Sequence, residues 1–204
     1  MKRVRKLTTA MAATVLAVVL STSAFAANLT HTVVKGDTMW KLAVKYQVGT
    51  SEIIAANPQI SNPNLIYPGQ RLTIPQISTS VQNFEEEVAR LVNEQRAKNG
   101  LSPLTLNWEL SRVARYKSED MARNRYFSHT SPTYGTPFEM IRSFGLSYRS
   151  AGENIAYGQR TPAAVMDAWM NSSGHRANIL NASYTQIGVG YYANGNYWTQ
   201  MFIG

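Results

Sequence analysis

His129, Glu153 and His175 set the chemical question for this chain. Only three histidines and no cysteines occur in its 204 residues. Two imidazoles and a carboxylate can exchange protons as acid and base, or can bind a divalent metal while leaving a position open for water. Their separations of 24 and 22 residues form no local chelate. Spacing alone therefore leaves two readings open: a shared site assembled by the fold, or ordinary surface and core histidines. The third histidine, His31, precedes a strand-like run and reads as an exposed bystander. Without cysteine there are no disulfides, thiolate metal sites or thiol nucleophiles. Ser128, Ser131 and Ser173 lie near the histidines, and each is explained as a turn or cap residue. Neither a Gly-x-Ser-x-Gly elbow nor a His-Glu-x-x-His helix is present. Tyr157, Tyr191, Tyr192 and Trp198 would suit a groove, although aromatics in strands more often pack.

The elements that must position these residues fall in the segment 83–204. Asn83 and Glu86 form a capping-box pattern ahead of Phe84, Val88, Leu91 and Val92 at helical spacing. Asn107 can cap a second helix with Leu110, Val113, Ala114 and Met121 on one face. Thr136-Pro137 and Thr161-Pro162 open two more, with proline at the first helical position. The tail is strand-like over 187–192 and 197–203, around the hairpin signal Asn194-Gly195. Helices first and strands late predict an α+β layered domain.

An earlier segment, 27–75, reads as a separate small unit of β-α-α-β order. Its first strand is expected at Thr32-Val33-Val34, with Asp37 or Thr38 as helix cap. A second helix is expected at 51–57, with Ile53 and Ile54 inward and Pro58 as its stop. A second strand follows at 71–74. Trp40 and Ile53 are expected in the core. Residues 76–82, rich in Ser and Thr, read as a short linker.

Residues 1–26 read as a signal peptide, with a basic start (Lys2, Arg3, Arg5, Lys6), an apolar run from Leu7 to Leu20, and Ala24-Phe25-Ala26 for cleavage. The apolar run is shorter than the roughly 20 residues needed to span a bilayer. The expected product is secreted, extracellular or wall-associated, with no membrane span in its mature form. The formal charge is +8, half of it in the basic start. The remaining cations are scattered among acidic residues, which argues against a nucleic-acid partner.

Three blocks in order, Val34-Lys35-Gly36-Asp37-Thr38-Met39-Trp40, Ala55-Ala56-Asn57-Pro58 and Ile66-Tyr67-Pro68-Gly69-Gln70-Arg71-Leu72, resemble the LysM family. The resemblance implies that the loops around Gly36, Asp37, Thr38 and Met39, and around Asn64, Leu65, Ile66 and Tyr67, grip N-acetyl groups of peptidoglycan or a chitin-like glycan. Phe127-Ser128-His129-Thr130, Ala151-Gly152-Glu153-Asn154-Ile155 and Trp169 through Leu180 resemble the CAP (SCP-like) family over 83–204. That resemblance implies an α-β-α sandwich in which His129, Glu153 and His175 converge on one cleft. Many animal relatives carry a second Glu shortly before the second His, where this chain has Asn171-Ser172-Ser173. A four-ligand site is thereby put in doubt, with Glu139 the substitute carboxylate to examine. No cofactor is required, and if a zinc or calcium ion binds at His129, Glu153 and His175, weak binding is expected. Taken together, these features predict a wall-associated protein whose CAP cleft takes an unidentified lipid, protein or other ligand. A wall hydrolase or protease, or a lipid or sterol carrier, stands as the alternative, with binding favoured over catalysis.

Overall fold

The computed structural model describes residues 25–204. Most of the expected signal segment, residues 1–24, lies outside them. A two-stranded antiparallel sheet pairs β1 (Phe25–Thr32) with β2 (Arg71–Ile77), and α1 (Met39–Tyr46) and α2 (Thr50–Ala55) lie between them in the chain. The expected βααβ order is therefore present. β1 ends one residue before Val33, whose N–H and C=O still pair with Gln70 and Gly69, while Val34 turns out into solvent. Thr38 caps α1 through the Lys41 N–H.

Helical geometry places Met39, Leu42 and Ala43 on one stripe, and these pack with Val33, Val48, Ile53, Leu72 and Ile74. Trp40, expected in the core, is 66% exposed because it lies about 100° around the helix from Met39. Ile54 is likewise partly exposed while Ile53 is sealed. Asn57 follows α2 rather than belonging to it. Its buried amide donates to the carbonyls of Ile53 and Thr73 and accepts the Thr73 N–H, which locks α2 onto β2.

The expected linker at 76–82 is not irregular. β2 runs to Ile77 and α3 (Thr79–Lys98) begins two residues later, capped by Ser78. Ser78 supplies the cap expected at Asn83, and apolar contacts by Val81 and Ile77 extend both elements into the packed interior.

The remainder is a three-layer sandwich around a four-stranded sheet of order β3-β5-β6-β4. Its strands are β3 (Thr105–Leu106), β4 (Ala151–Tyr157), β5 (Gln186–Tyr192) and β6 (Tyr197–Ile203). On one face α4 (Trp108–Arg123) and α5 (Pro137–Ser143) pack through Leu110, Val113, Met140 and Ile141 against Met201 and Ile203. On the other, α3, α6 (Pro162–Met170) and α7 (Ser173–Ile179) cover Ile187, Val189, Trp198 and Phe202. Period-2 alternation explains the division, since neighbours along each strand point to opposite faces.

Two glycines set the layer spacing. A Cβ on Gly188 would stand 2.3 Å from the Leu110 carbonyl carbon, and one on Gly190 would stand 2.1 Å from that of Ala114. α4 thus rests directly on the backbone of β5. Gly190→Ala should destabilise the fold by about 1–3 kcal/mol through overpacking. Urea denaturation would read this as a lower midpoint, and an unchanged midpoint would refute the contact.

Candidate functional site

The cleft beside the edge strand β4 is assembled by buried polar groups. Lys117 lies on the inward stripe of α4 and is fully buried. Its ammonium donates to the backbone carbonyls of Ser128 and His129 at 2.7 and 2.8 Å, and to the Tyr126 hydroxyl at 3.2 Å. One turn on, Asp120 accepts from Tyr126, Ser131 and Thr133 hydroxyls and from the Asn124 amide. Burial raises the Asp120 carboxyl, but these donors, led by Ser131, outweigh it and hold the group below its usual range. Burial pushes the Lys117 ammonium down, opposed by the charges of Glu153 and Asp120. The 124–135 loop, which carries His129, is therefore strapped to α4.

Glu153 projects from β4 and meets His129. Its Oε1 lies 2.7 Å from His129 Nδ1, with the glutamate side chain 2% exposed and the imidazole 55%. Burial raises the Glu153 carboxyl above its ordinary value, while the His129 bond and the Lys117 charge oppose the rise. With the carboxylate ionised and the imidazole neutral, Oε1 accepts the Nδ1 proton and the lone pair is left on Nε2. Glu153 Oε2 is buried without a protein partner.

His175 reaches the same cleft from α7. Asn154, fully buried on β4, donates to the His175 carbonyl at 3.0 Å and to Gln200, and it accepts from Asn178. This amide cluster fixes α7 against the sheet. Burial and then the nearby His129 charge lower the His175 pKa. His129 and His175 line one cleft of about 470 Å³ together with Ser128, Tyr157, Gln159 and Trp169.

The carboxylate of the expected metal set bonds one of its two imidazoles in this structure. Glu153 is closed beneath His129 and gives Oε1 to that ring, so it orients the imidazole rather than standing beside it. Among the described residues, no group of three or more His, Cys, Asp or Glu side chains is disposed to hold an ion. Glu139 is no substitute, because it closes a capping box with Thr136 at the start of α5.

In the small N-terminal unit the two expected loops leave the same end of the β1–β2 pair, joined there by the Val33–Gln70 and Gly69–Val33 bonds. Gly36, Thr38, Asn64, Leu65 and Tyr67 are exposed, and Ile66 is half-buried. The Met39 side chain is core, leaving its backbone to the loop. Asp37 turns inward, accepting the Val34 N–H and bonding His31 Nε2 at 2.8 Å. The Val34 bond leads the lowering of its pKa. His31 is thus no bystander. It is nearly buried and bridges Asp37 to the Tyr46 hydroxyl.

A model of the CAP family, described as the cysteine-rich secretory protein family, matches residues 89–202. The chain belongs to the CAP family. A LysM domain model matches residues 31–75. The uncharacterized protein YkwD of Bacillus subtilis (strain 168) is 50% identical over 155 residues, 76% of this chain and 60% of that protein. An extracellular protein containing an SCP domain, from Bacillus anthracis str. Ames, superposes with a TM-score of 0.59 at 33% identity, covering 67% of this chain and 47% of that one. An outer surface protein from Borrelia burgdorferi gives a TM-score of 0.54 at 25% identity, over 58% and 90% of the two chains. This chain thus spans 60% and 47% of the first two relatives' own lengths.

Within the CAP domain, sequence reading named the cleft residues but missed their supports, Lys117, Asp120, Asn154 and Asn178. The available signal was a lysine and an aspartate on the apolar stripe of α4, where charge needs a partner. Lys117→Met should release the 126–129 backbone and cost about 2 kcal/mol. Amide exchange would show faster opening of that loop than of α4, and unchanged protection would refute the strap. The His175 ring should titrate below an ordinary histidine and move part of the way back in His129→Ala. An NMR titration with no such displacement would remove the electrostatic link.

Proposed function

We propose that this is a cell-wall-associated binding protein. Its LysM loops hold N-acetylglucosamine-containing strands of peptidoglycan, and its CAP cleft holds a ligand beside His129 and His175. The observation that carries the reading is the pair of loops at one end of the β1–β2 sheet, with Gly36 and Thr38 on one and Asn64, Leu65 and Tyr67 on the other all exposed. Backbone amides with a few apolar side chains suit shallow recognition of sugars. The LysM match and the extracellular and outer-surface descriptions of two CAP relatives support a location at or beyond the wall. No helix among the described residues is long and apolar enough to cross a membrane.

Binding is favoured over hydrolysis because the cleft presents no activated nucleophile. Efficient acyl transfer needs a nucleophile or bound water, a base held by a third group, and donors for the developing oxyanion. The His129–Glu153 pair supplies the oriented base and favours the second reading, a wall hydrolase. The Ser128 hydroxyl accepts the Thr130 N–H within its own turn, and no histidine bond to it is present. A zinc or calcium ion is not needed for either the LysM or the CAP reading. If one binds, the two imidazole nitrogens are its anchors.

Sedimentation with insoluble peptidoglycan should retain the native chain and His129→Ala/His175→Ala equally. Leu65→Ala/Tyr67→Ala should remain largely in the supernatant. Retention indifferent to the loop substitutions would overturn the assignment to LysM. Release of soluble muropeptides should not exceed background. Turnover abolished by each histidine substitution would establish the hydrolase instead.

A further inference from the structure

Phe127 and Tyr157 stand at the mouth of the CAP cleft with 47% and 56% of their surfaces exposed. Their rings meet edge to face with centroids 4.8 Å apart, and Tyr197 stacks behind Tyr157 at 5.7 Å and 23°. Each ring is braced by another, so the ledge is held ready rather than folded inward. Apolar surface of this size left in water is stabilised when a ligand covers it.

The rest of the lining narrows the chemistry. Ile155 and Trp169 contribute apolar area, whereas Ser128, Gln159, His129 and His175 contribute hydrogen-bonding groups, and no Lys, Arg, Asp or Glu lines the cleft. Gln159 Oε1 is buried without a protein partner. The cleft volume of about 470 Å³ lies within the roughly 300–1,000 Å³ usual for small-ligand sites. An acyl chain would leave the serine, glutamine and imidazole groups unpaired, which is costly. An ionised peptide would find no counter-charge. A sugar ring has one C–H face for the aromatic ledge, and its hydroxyl and acetamido edge suits the polar groups of Ser128, His129, His175 and Gln159.

We infer that the CAP cleft is a second glycan subsite, taking an uncharged acetamido-hexose ring against Tyr157 and Phe127 with its polar edge toward His129, His175 and Gln159. This rests on reading the cleft as a binding site and supplies its ligand class. The ligand would be the same type of polymer that the LysM loops are proposed to hold.

Calorimetric titration of the purified chain with the N-acetylglucosamine tetramer should show two sites. Tyr157→Ala should weaken one of them about tenfold and leave the other unchanged. Tyr157→Phe should keep both, and Leu65→Ala/Tyr67→Ala should remove the other. Phe127→Ala, at an exposed position, gives an independent weakening with little risk to folding. A single site in the native chain that Leu65→Ala/Tyr67→Ala abolishes would overturn the inference while leaving the LysM assignment intact. Two sites unaffected by both Tyr157→Ala and Phe127→Ala would also overturn it. Displacement of a fluorescent fatty acid that depends on Tyr157, without sugar binding at the cleft, would replace the glycan with a lipid.

Discussion

The buried ammonium of Lys117 is the interaction on which the cleft depends. A cation inside a packed helix face is costly unless its donors are met. Here they are met chiefly by two main-chain carbonyls of the His129 loop. The helix and the loop therefore cannot separate without stranding a charge. Asp120 repeats the device with the opposite sign, tying side chains from 124 to 133 to the same helix. Both residues lie on α4, which itself rests on the bare backbone of Gly188 and Gly190. Sheet, helix and loop thus form one chain of support, and His129 inherits its place from all three.

The second imidazole is held by neutral amides. Asn154, Asn178 and Gln200 join the edge strand to α7 and its neighbour strand. Such a network discriminates by geometry more than by raw strength. One side of the cleft is thereby fixed by charge and the other by neutral amides, although Gln200 Nε2 is buried without a partner. The two imidazoles line one cleft beside the edge strand β4, whose unpaired carbonyls at Glu153 and Ile155 are met by Asn178 of α7 and Trp169 of α6.

Local chemistry made much of this legible in advance. Thr136-Pro137, Thr161-Pro162 and Asn107 each begin a helix where their capping chemistry predicts one. The turn between β5 and β6 contains Asn194-Gly195, with Gly195 at positive φ. The spaced CAP and LysM blocks identified both domains. What stayed hidden depends on contacts distant in sequence. Trp40 looks like core by residue type, yet the helix phase set by Met39 and Leu42 turns it outward. His31 looks peripheral, yet Asp37 and Tyr46 close around it. Lys117 and Asp120 gave a signal, charge on an apolar stripe, but no sequence pattern names the carbonyls and hydroxyls that answer it. The Ser/Thr run at 76–82 failed as a linker because Ser78 can cap a helix whose apolar face, beginning at Val81, finds a core.

One side contact between the domains changes what attachment means. Arg112 of α4 places its guanidinium against α2, bonding Glu52 through Nε and Nη2 and the Ser51 hydroxyl through Nη2. Burial raises the Glu52 carboxyl, yet the Arg112 bonds more than offset this and keep it low. A Cβ on Gly49 would fall 2.3 Å from the Arg112 guanidinium carbon, so that glycine makes room for the fork. With Ser78 alone between β2 and α3, the chain offers little slack for swivelling. The Arg112 fork and the one-residue connection both limit how far one domain can turn against the other, which lowers the cost of ordering them when a surface is met. Whatever fixes the small domain in space also sets the compass heading of the cleft.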